Sequence, residues 1–319
     1  MPLIKYKNIS PDEALLLSFE KPILRVCGGS RMYGTARSDE SGNIISDYDI
    51  RDVVIPPYQF LTIIRPDFKP RYGNIGEDHV IYSLNFFVQK LLASNISFLE
   101  LLFAPKEMVL IQTPIGDEIL KLRDKLISKQ IYNSMRGFAY SEYRKAKAEK
   151  LTFEKQTPTE SQAWDTFREV FGPKWGDKRK EITDEIKALA YSCHEEIIVP
   201  SFDGISKKRR EEFEKFGYCS SSACHSLRLL REITELLKES HITFPRPDAA
   251  QLRDVKQGRS TLKEFCDLYE EAKLQAEQAY KESKLPEKPQ SEPILQWLEE
   301  KVVNAIADDI AFAERRNNE

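Results

Sequence analysis

The sequence predicts an α+β protein whose strands fall in the first hundred residues and whose remainder is mainly helical. Three observations carry this. Short apolar runs at 24–27, 53–55 and 79–83 have strand length and are bounded by Gly, Pro and acidic residues. Leu84, Phe87, Val88, Leu91 and Leu92 then repeat at helical spacing directly after the third run. Further on, helical patterning dominates 117–150, 217–237, 260–283 and 291–314. With 319 residues, 41% of them hydrophobic and 31% charged, the chain can bury a real core in one large or two ordinary domains.

The stretch around which the rest is organised is 24–55, LRVCGGSRMYGTARSDESGNIISDYDIRDVVI. It reads as a strand, a tight Gly-Gly-Ser-Arg turn, a polar loop with Gly42-Asn43, and a second strand opening with Asp47 and Asp49. Strand side chains alternate, so both carboxylates would leave one face while Tyr48 and Ile50 enter the other layer. Like charges held that close raise each other's pKa unless a cation sits between them. A magnesium ion carried with phosphate resolves this, because it takes one or two carboxylates plus substrate oxygens. Gly28 and Gly29 allow close backbone approach, and the amides around Ser30 can cradle phosphate. Singly, Gly-Gly-Ser is a common turn and Asp-x-Asp a common solvated edge. In this order, with Arg31 after the turn and Arg51 after the carboxylates, they point together to a metal-phosphate site.

Taken in order, Ser10-Pro11-Asp12-Glu13 signals a helix start, and the helix ends at Pro22. Pro56-Pro57 closes the second strand, since proline gives no ladder donor. A Pro-, Arg- and Gly-rich loop covers 58–76. The third strand, HVIYS, is preceded by Glu77-Asp78, and Asp78, with Glu77 as fallback, is the candidate third carboxylate; a capping role is the alternative. A second apolar helix runs from Ile96 to Phe103. The basic run at 144–150 reads as a solvated helix face, with a phosphate or nucleic-acid contact as the alternative. Residues 151–180 are polar and contain Trp164 and Trp175; a helix at 181–194, an extended IIVP at 197–200 and the basic cluster Lys207–Arg210 follow.

In GYCSSSACHSLRLLR, residues 217–231, Leu227, Leu230, Ile233 and Leu237 face a core, and serines 220–222 cap the helix. His225 and Arg228 are three apart and neighbours on the surface, able to present imidazole and guanidinium to a phosphate; a structural, hydrogen-bonded His225 is the alternative. Cys219, Cys224 and His225 lack the spacing and the fourth ligand of a zinc site. An extended 241–247 leads to a helix capped by Ser260, a break at 285–290 and a last amphipathic helix.

Composition narrows the class further. A net charge of −3 gives no global field toward nucleic acid. Five scattered cysteines without CxxC suit reduced thiols in the cytoplasm. No apolar h-region or long apolar run is present, so a soluble cytoplasmic protein without a membrane contact is expected. The chain holds no Walker A Gly-Lys-Ser/Thr and no Gly-x-Gly-x-x-Gly, which argues against a P-loop ATPase and a dinucleotide enzyme.

GGSRMYGT at 28–35, SDYDIRDVVIPP at 46–57 and EDHVIYSLNFFVQKLLASNISFLELLF at 77–103 resemble the predicted nucleotidyltransferases of the DNA polymerase beta superfamily. KFGYCSSSACHSLRLL, ITFPRPDAAQLRDVKQGRSTLKEF and LPEKP extend the likeness over most of the chain, apart from the leader and 151–206. The resemblance implies a small mixed β-sheet nucleotidyltransferase core flanked by helices over 1–115, followed by a mainly helical domain over 116–319 with an insertion near 151–206. It implies Gly29 and Ser30 on the β- and γ-phosphates, with Gly28 beside them, Asp47 and Asp49 on Mg2+, and Asp78 as third carboxylate. Arg31, Arg51, His225 and Arg228 would complete the nucleotide site. One departure stands out: where the family tends to carry lysine before its Ala-x-His segment, this chain has Ser221. The expected activity is transfer of a nucleoside monophosphate from an NTP such as ATP to a hydroxyl acceptor, RNA or a small molecule, with release of pyrophosphate. A catalytically inactive nucleotide- or RNA-binding module is the alternative.

Overall fold

The computed structural model describes residues 22–39, 41–56, 71–72, 78–147, 152–156, 197–201 and 206–317. Expectations for the Ser10 helix, Glu77, most of the 58–76 loop, Trp164, Trp175 and the 181–194 helix lie outside these residues.

A five-stranded mixed sheet holds the amino-terminal half together. Strand β1 (Leu24–Gly28) enters a five-residue helix, α1 (Gly29–Tyr33), and pairs antiparallel with β2 (Asp49–Val54), Gly28 opposite Asp49. The two-residue β3 (Arg71–Tyr72) is antiparallel to β4 (His79–Ser83), which runs parallel to β2. All five residues of β4 are buried, as expected for an interior strand covered on both faces.

Ser83 ends β4 and caps α2 (Leu84–Leu92), accepting the Phe86 amide, and Asn95 does the same for α3 (Ile96–Leu99), which tightens into a 3-10 turn over Glu100–Phe103. Leu84, Phe87, Val88 and Leu91 turn to the sheet. Each such side chain fully buried stabilises the fold by about 1.5–3 kcal/mol. Strand β5 (Val109–Gln112) then closes the sheet against β1, giving the order β3-β4-β2-β1-β5.

Helices follow. Thr113 caps α4 (Pro114–Lys121), with proline in its first turn, and α5 (Arg123–Leu126) and α6 (Gln130–Ala146) come next. Strands β6 (Thr152–Gln156) and β7 (Ile197–Ser201) form a separate antiparallel pair. After α7 (Lys207–Phe216) comes α8 (Ser220–Glu239), which packs on α6, on α9 (Ala249–Lys256) and on α10 (Leu262–Glu282). Leu227, Leu229, Leu230, Ile233 and Leu236 are all buried, as are Arg228 and Glu232, so α8 is enclosed on most of its surface and forms the centre of the helical region. The last helix is α11 (Ser291–Asn317). No described helix is long and apolar enough to cross a membrane.

Several local expectations change. The Gly-Gly-Ser-Arg turn is the first turn of α1, closed by Gly34 in the left-handed conformation at φ 72°. Asp47 precedes β2 instead of opening it, because the carbonyls of Ser46 and Asp47 are taken by the Arg31 guanidinium and pairing begins only at Asp49. The two carboxylates therefore do not share a strand face. Thr261, not Ser260, caps α10, in a capping box with Glu264. The serines at 220–222 lie inside α8 and bond elsewhere: Ser220 to the Lys256 carbonyl, Ser221 to Glu212.

Candidate functional site

A cleft of about 890 Å³ opens between the carboxylate-bearing end of the sheet and the helical wall made by α7, α8 and α9. That volume lies within the range of roughly 300–1,000 Å³ typical of small-molecule and cofactor sites. Gly28, Gly29, Ser30, Asp47, Asp49, Arg51, Asp78, His225 and Arg228 all line it, so residues up to two hundred positions apart meet at one place.

The sheet side is built on one close approach. Gly29 has φ 67°, and a β-carbon there would lie 1.7 Å from Asp49 Oδ2. Only glycine lets the turn sit directly beneath the carboxylate. Burial raises the Asp49 pKa; the Arg51 guanidinium opposes this, and the negative fields of Asp78 and Asp47 add to it. Arg51 reaches Asp49 Oδ1 at 3.3 Å while donating to the Asp78 carbonyl at 2.7 Å. That carbonyl also accepts the Ile50 amide, and Asp78 itself sits at φ 51°, an exposed residue held in the left-handed region. Two donors on one carbonyl fix the Asp78 backbone beside Asp49 despite a conformation that most residues avoid.

Behind this edge, Asp52 is buried on the same strand. Arg25 Nε and Nη2 each donate to it at 2.7 Å, and His79 Nε2 lies 2.9 Å from Oδ2. Burial alone would raise the Asp52 pKa, but these bonds outweigh it and the carboxyl is held below its ordinary value. The cluster ties β1, β2 and β4 together under the site.

Arg31 does not line the cleft. Its guanidinium takes the carbonyls of Ser46 and Asp47 and stacks on the Tyr48 ring 3.7 Å from the centroid, so it shapes the loop that carries Asp47.

On the helical side Arg228 is buried with full compensation. Its Nη1 contacts Glu100 at 2.8 Å and Glu232 at 2.7 Å, and the guanidinium lies 3.9 Å from the Tyr33 ring centre. Tyr33 donates to Glu100 at 2.6 Å. Two carboxylates share one cation here; burial and the Glu100 charge push Glu232 up to about 7, against the pull of Arg228 and Arg246. Arg228 thus links α8 to α1 and to the 3-10 turn, and its charge is already matched.

His225 is pushed down to about 4 by burial and by Arg228 and Lys145, against the pull of Glu142. Its Nε2 is buried without a hydrogen-bond partner among the described residues, and its ring packs edge-on to Phe138 at 5.4 Å. At neutral pH it is an uncharged donor or acceptor at the cleft wall and adds no charge for a phosphate.

The walls are tethered at the far end of α1. The Arg246 amide donates to the Tyr33 carbonyl at 3.1 Å, Arg253 donates to the Gly34 carbonyl, and a β-carbon on Gly34 would stand 2.9 Å from Pro245.

Sequence reasoning missed Tyr33, Arg37, Glu100, Glu232, Arg253 and Lys256, whose roles depend on segments distant in the chain. One signal was available: Lys208, Glu211, Glu212 and Lys215 are spaced on one helical face, and that face lines the cleft. Among the described residues no group of three or more His, Cys, Asp or Glu side chains converges in a way that could hold a metal ion. A magnesium ion needs no such cage when phosphate supplies its other oxygens, and Asp49 beside Gly29 suits one delivered with a ligand. Compared with family models, curated proteins and solved structures, the chain matches none of them.

Proposed function

We propose that this protein binds a nucleoside triphosphate in the cleft, phosphates toward Gly29 and Ser30. The observation that carries this reading is the approach of Asp49 to Gly29, which sets a half-buried carboxylate against backbone shaped for close contact with a ligand. Burial, with the fields of Asp78 and Asp47, raises the pKa of that carboxylate although Arg51 stands beside it. A magnesium-bound polyphosphate brings cation and anion together and suits both halves of the edge. The likeness of GGSRMYGT and SDYDIRDVVIPP to the nucleotidyltransferases of the DNA polymerase beta superfamily supports the same ligand.

Binding without turnover, by a nucleotide- or RNA-binding module, is the first reading. Asp49 is engaged by Arg51, and Asp47 lies outside the strand.

Nucleotidyl transfer is the second, favoured by the carboxylates of Asp47 and Asp78 standing close enough to raise the Asp49 pKa. In that reaction an acceptor hydroxyl oxygen forms a bond to the α-phosphorus and the bond to the β-phosphate oxygen breaks. Pyrophosphate leaves, and the hydroxyl proton passes to the Asp78 carboxylate and then to water. Asp47 and Asp49 would hold Mg2+, which supplies charge neutralisation of the phosphates. Ser30 and Gly29 would position the leaving group, and alignment does most of the work.

Equilibrium binding of the four NTPs with Mg2+, run beside pyrophosphate release with a mixed RNA and small-molecule acceptor pool, separates the readings. Saturable binding without pyrophosphate supports the module. Release that disappears in folded Asp49→Asn supports transfer, and absence of any NTP binding overturns both.

A further inference from the structure

Three cations that line the cleft, Arg37, Lys208 and Lys256, have no ion-pair partner among the described residues, although Glu211 and Glu212 line the same cleft. Arg37 comes from the loop after α1, Lys208 from the first turn of α7, and Lys256 from the last residue of α9, and all three line the cleft. On α7 the neighbouring Lys207 and Arg210 pair with Glu211 and Glu214, whereas Lys208 has no ion-pair partner among the described residues. Neither Arg37 nor Lys256 has one there either, although Arg25, Arg51, Arg228, Arg231 and Arg246 are each matched by a carboxylate.

Lys256 is the centre of this group. It is half-buried, and its carbonyl is anchored by the Ser220 hydroxyl at 2.9 Å, so α9 ends against the start of α8. Burial lowers its pKa, and the nearby charges of Lys208 and Arg37 lower it further, while Cys224 and Asp49 pull the other way. Cations gathered in a partly desolvated wall repel one another, which is unfavourable for the empty protein and favourable once a polyanion arrives. Asp49 and Lys256 line the same cleft, and the Asp49 charge favours the protonated lysine.

We propose that Arg37, Lys208 and Lys256 form an anion subsite in the cleft that receives the terminal phosphates of the bound ligand. The inference rests on the triphosphate reading above and deepens it: the terminal phosphates are held from the sheet side by Gly29 and Ser30 and from the opposite side by Lys256, Lys208 and Arg37. Phosphate oxygens suit the subsite because three flexible or forked cations offer several charge-assisted donors to one group.

The test is calorimetric binding of ATP, AMP and inorganic tripolyphosphate to the full chain, wild type and Lys256→Met, Lys208→Met and Lys256→Arg. Each charge removal is expected to weaken ATP and tripolyphosphate about tenfold or more, as loss of a charged hydrogen bond does. AMP should change less than about twofold. Lys256→Arg restores binding, and Lys208→Met, exposed on α7, keeps the test valid if a Lys256 variant does not fold. Equal weakening of ATP and AMP, or no weakening of either, overturns the subsite while leaving nucleotide binding intact. Tripolyphosphate bound in a Lys256-dependent way by a protein that binds neither ATP nor AMP keeps the subsite and overturns the nucleotide reading.

Discussion

The Asp49 carboxylate fills the space that any side chain at Gly29 would need, 1.7 Å from the position of its β-carbon. Residue 29 is also at φ 67°, where a side chain is strained whatever room it has. Gly29→Ala should therefore displace Asp49 or α1. We expect a stability loss of about 2 kcal/mol or more, and loss of NTP binding beyond what stability explains. Urea unfolding and calorimetry check the two effects separately. A variant with unchanged affinity would remove the close approach from the account of the site.

Asp52 bridges Arg25 and His79 in the buried layer beneath the cleft edge. Asp52→Ala removes the buried carboxylate that both residues contact and should cost about 3–5 kcal/mol, as removal of one member of a buried ion pair does. A shift in the urea midpoint with unchanged slope is the expected readout. Asp52→Asn, which keeps one acceptor, should fall between the two.

Glu232 gives the fold a pH dependence of definite sign. Its carboxyl is raised from 4.5 to about 7 in the folded protein, so the native state holds the proton more tightly than the unfolded chain. Stability from this group is fully present below about pH 4.5 and is lost as the pH rises through about 7. Urea midpoints measured across that interval should decline in wild type, and Glu232→Gln should lack that part of the slope. Parallel curves would mean that the proton sits elsewhere in the Glu100–Arg228–Glu232 cluster.

His225 has the opposite sign. A base lowered from 6.5 to about 4 binds fewer protons when folded, so its contribution is present above about pH 6.5 and is lost on acidification through 4. NMR titration of the imidazole should show it neutral from pH 8 down to about 5. An imidazole that titrates near 6.5 would place the ring in water and reopen its use as a charged phosphate ligand.

How far the sequence foretold this depends on whether a feature is local. HVIYS and the helix after it follow from apolar spacing, and both occur as His79–Ser83 and Leu84–Leu92. Val109–Gln112 was not foreseen as a strand, since its alternation is half-exposed and only the β1 edge makes it one. Asp47 looked like part of β2 because alternation ignores Arg31, fifteen positions or more away, which holds the Ser46 and Asp47 carbonyls in a loop. Arg228 read as a free guanidinium for the same reason: Glu232 was visible one turn on, but Glu100 and Tyr33 come from the other half of the chain. Lys256 gave no sequence signal at all, as its meaning lies in what stands opposite.

The shortness of α1 has a mechanical consequence. Its five residues, about 7.5 Å of helix, begin beneath Asp49 and end at the carbonyls held by Arg246 and Arg253. Such a strut has no slack in which to absorb a displacement. Whatever presses on its glycine end is passed to the opposite jaw, and substitutions as remote in sequence as Arg253 should alter how firmly the first atoms of a ligand are gripped.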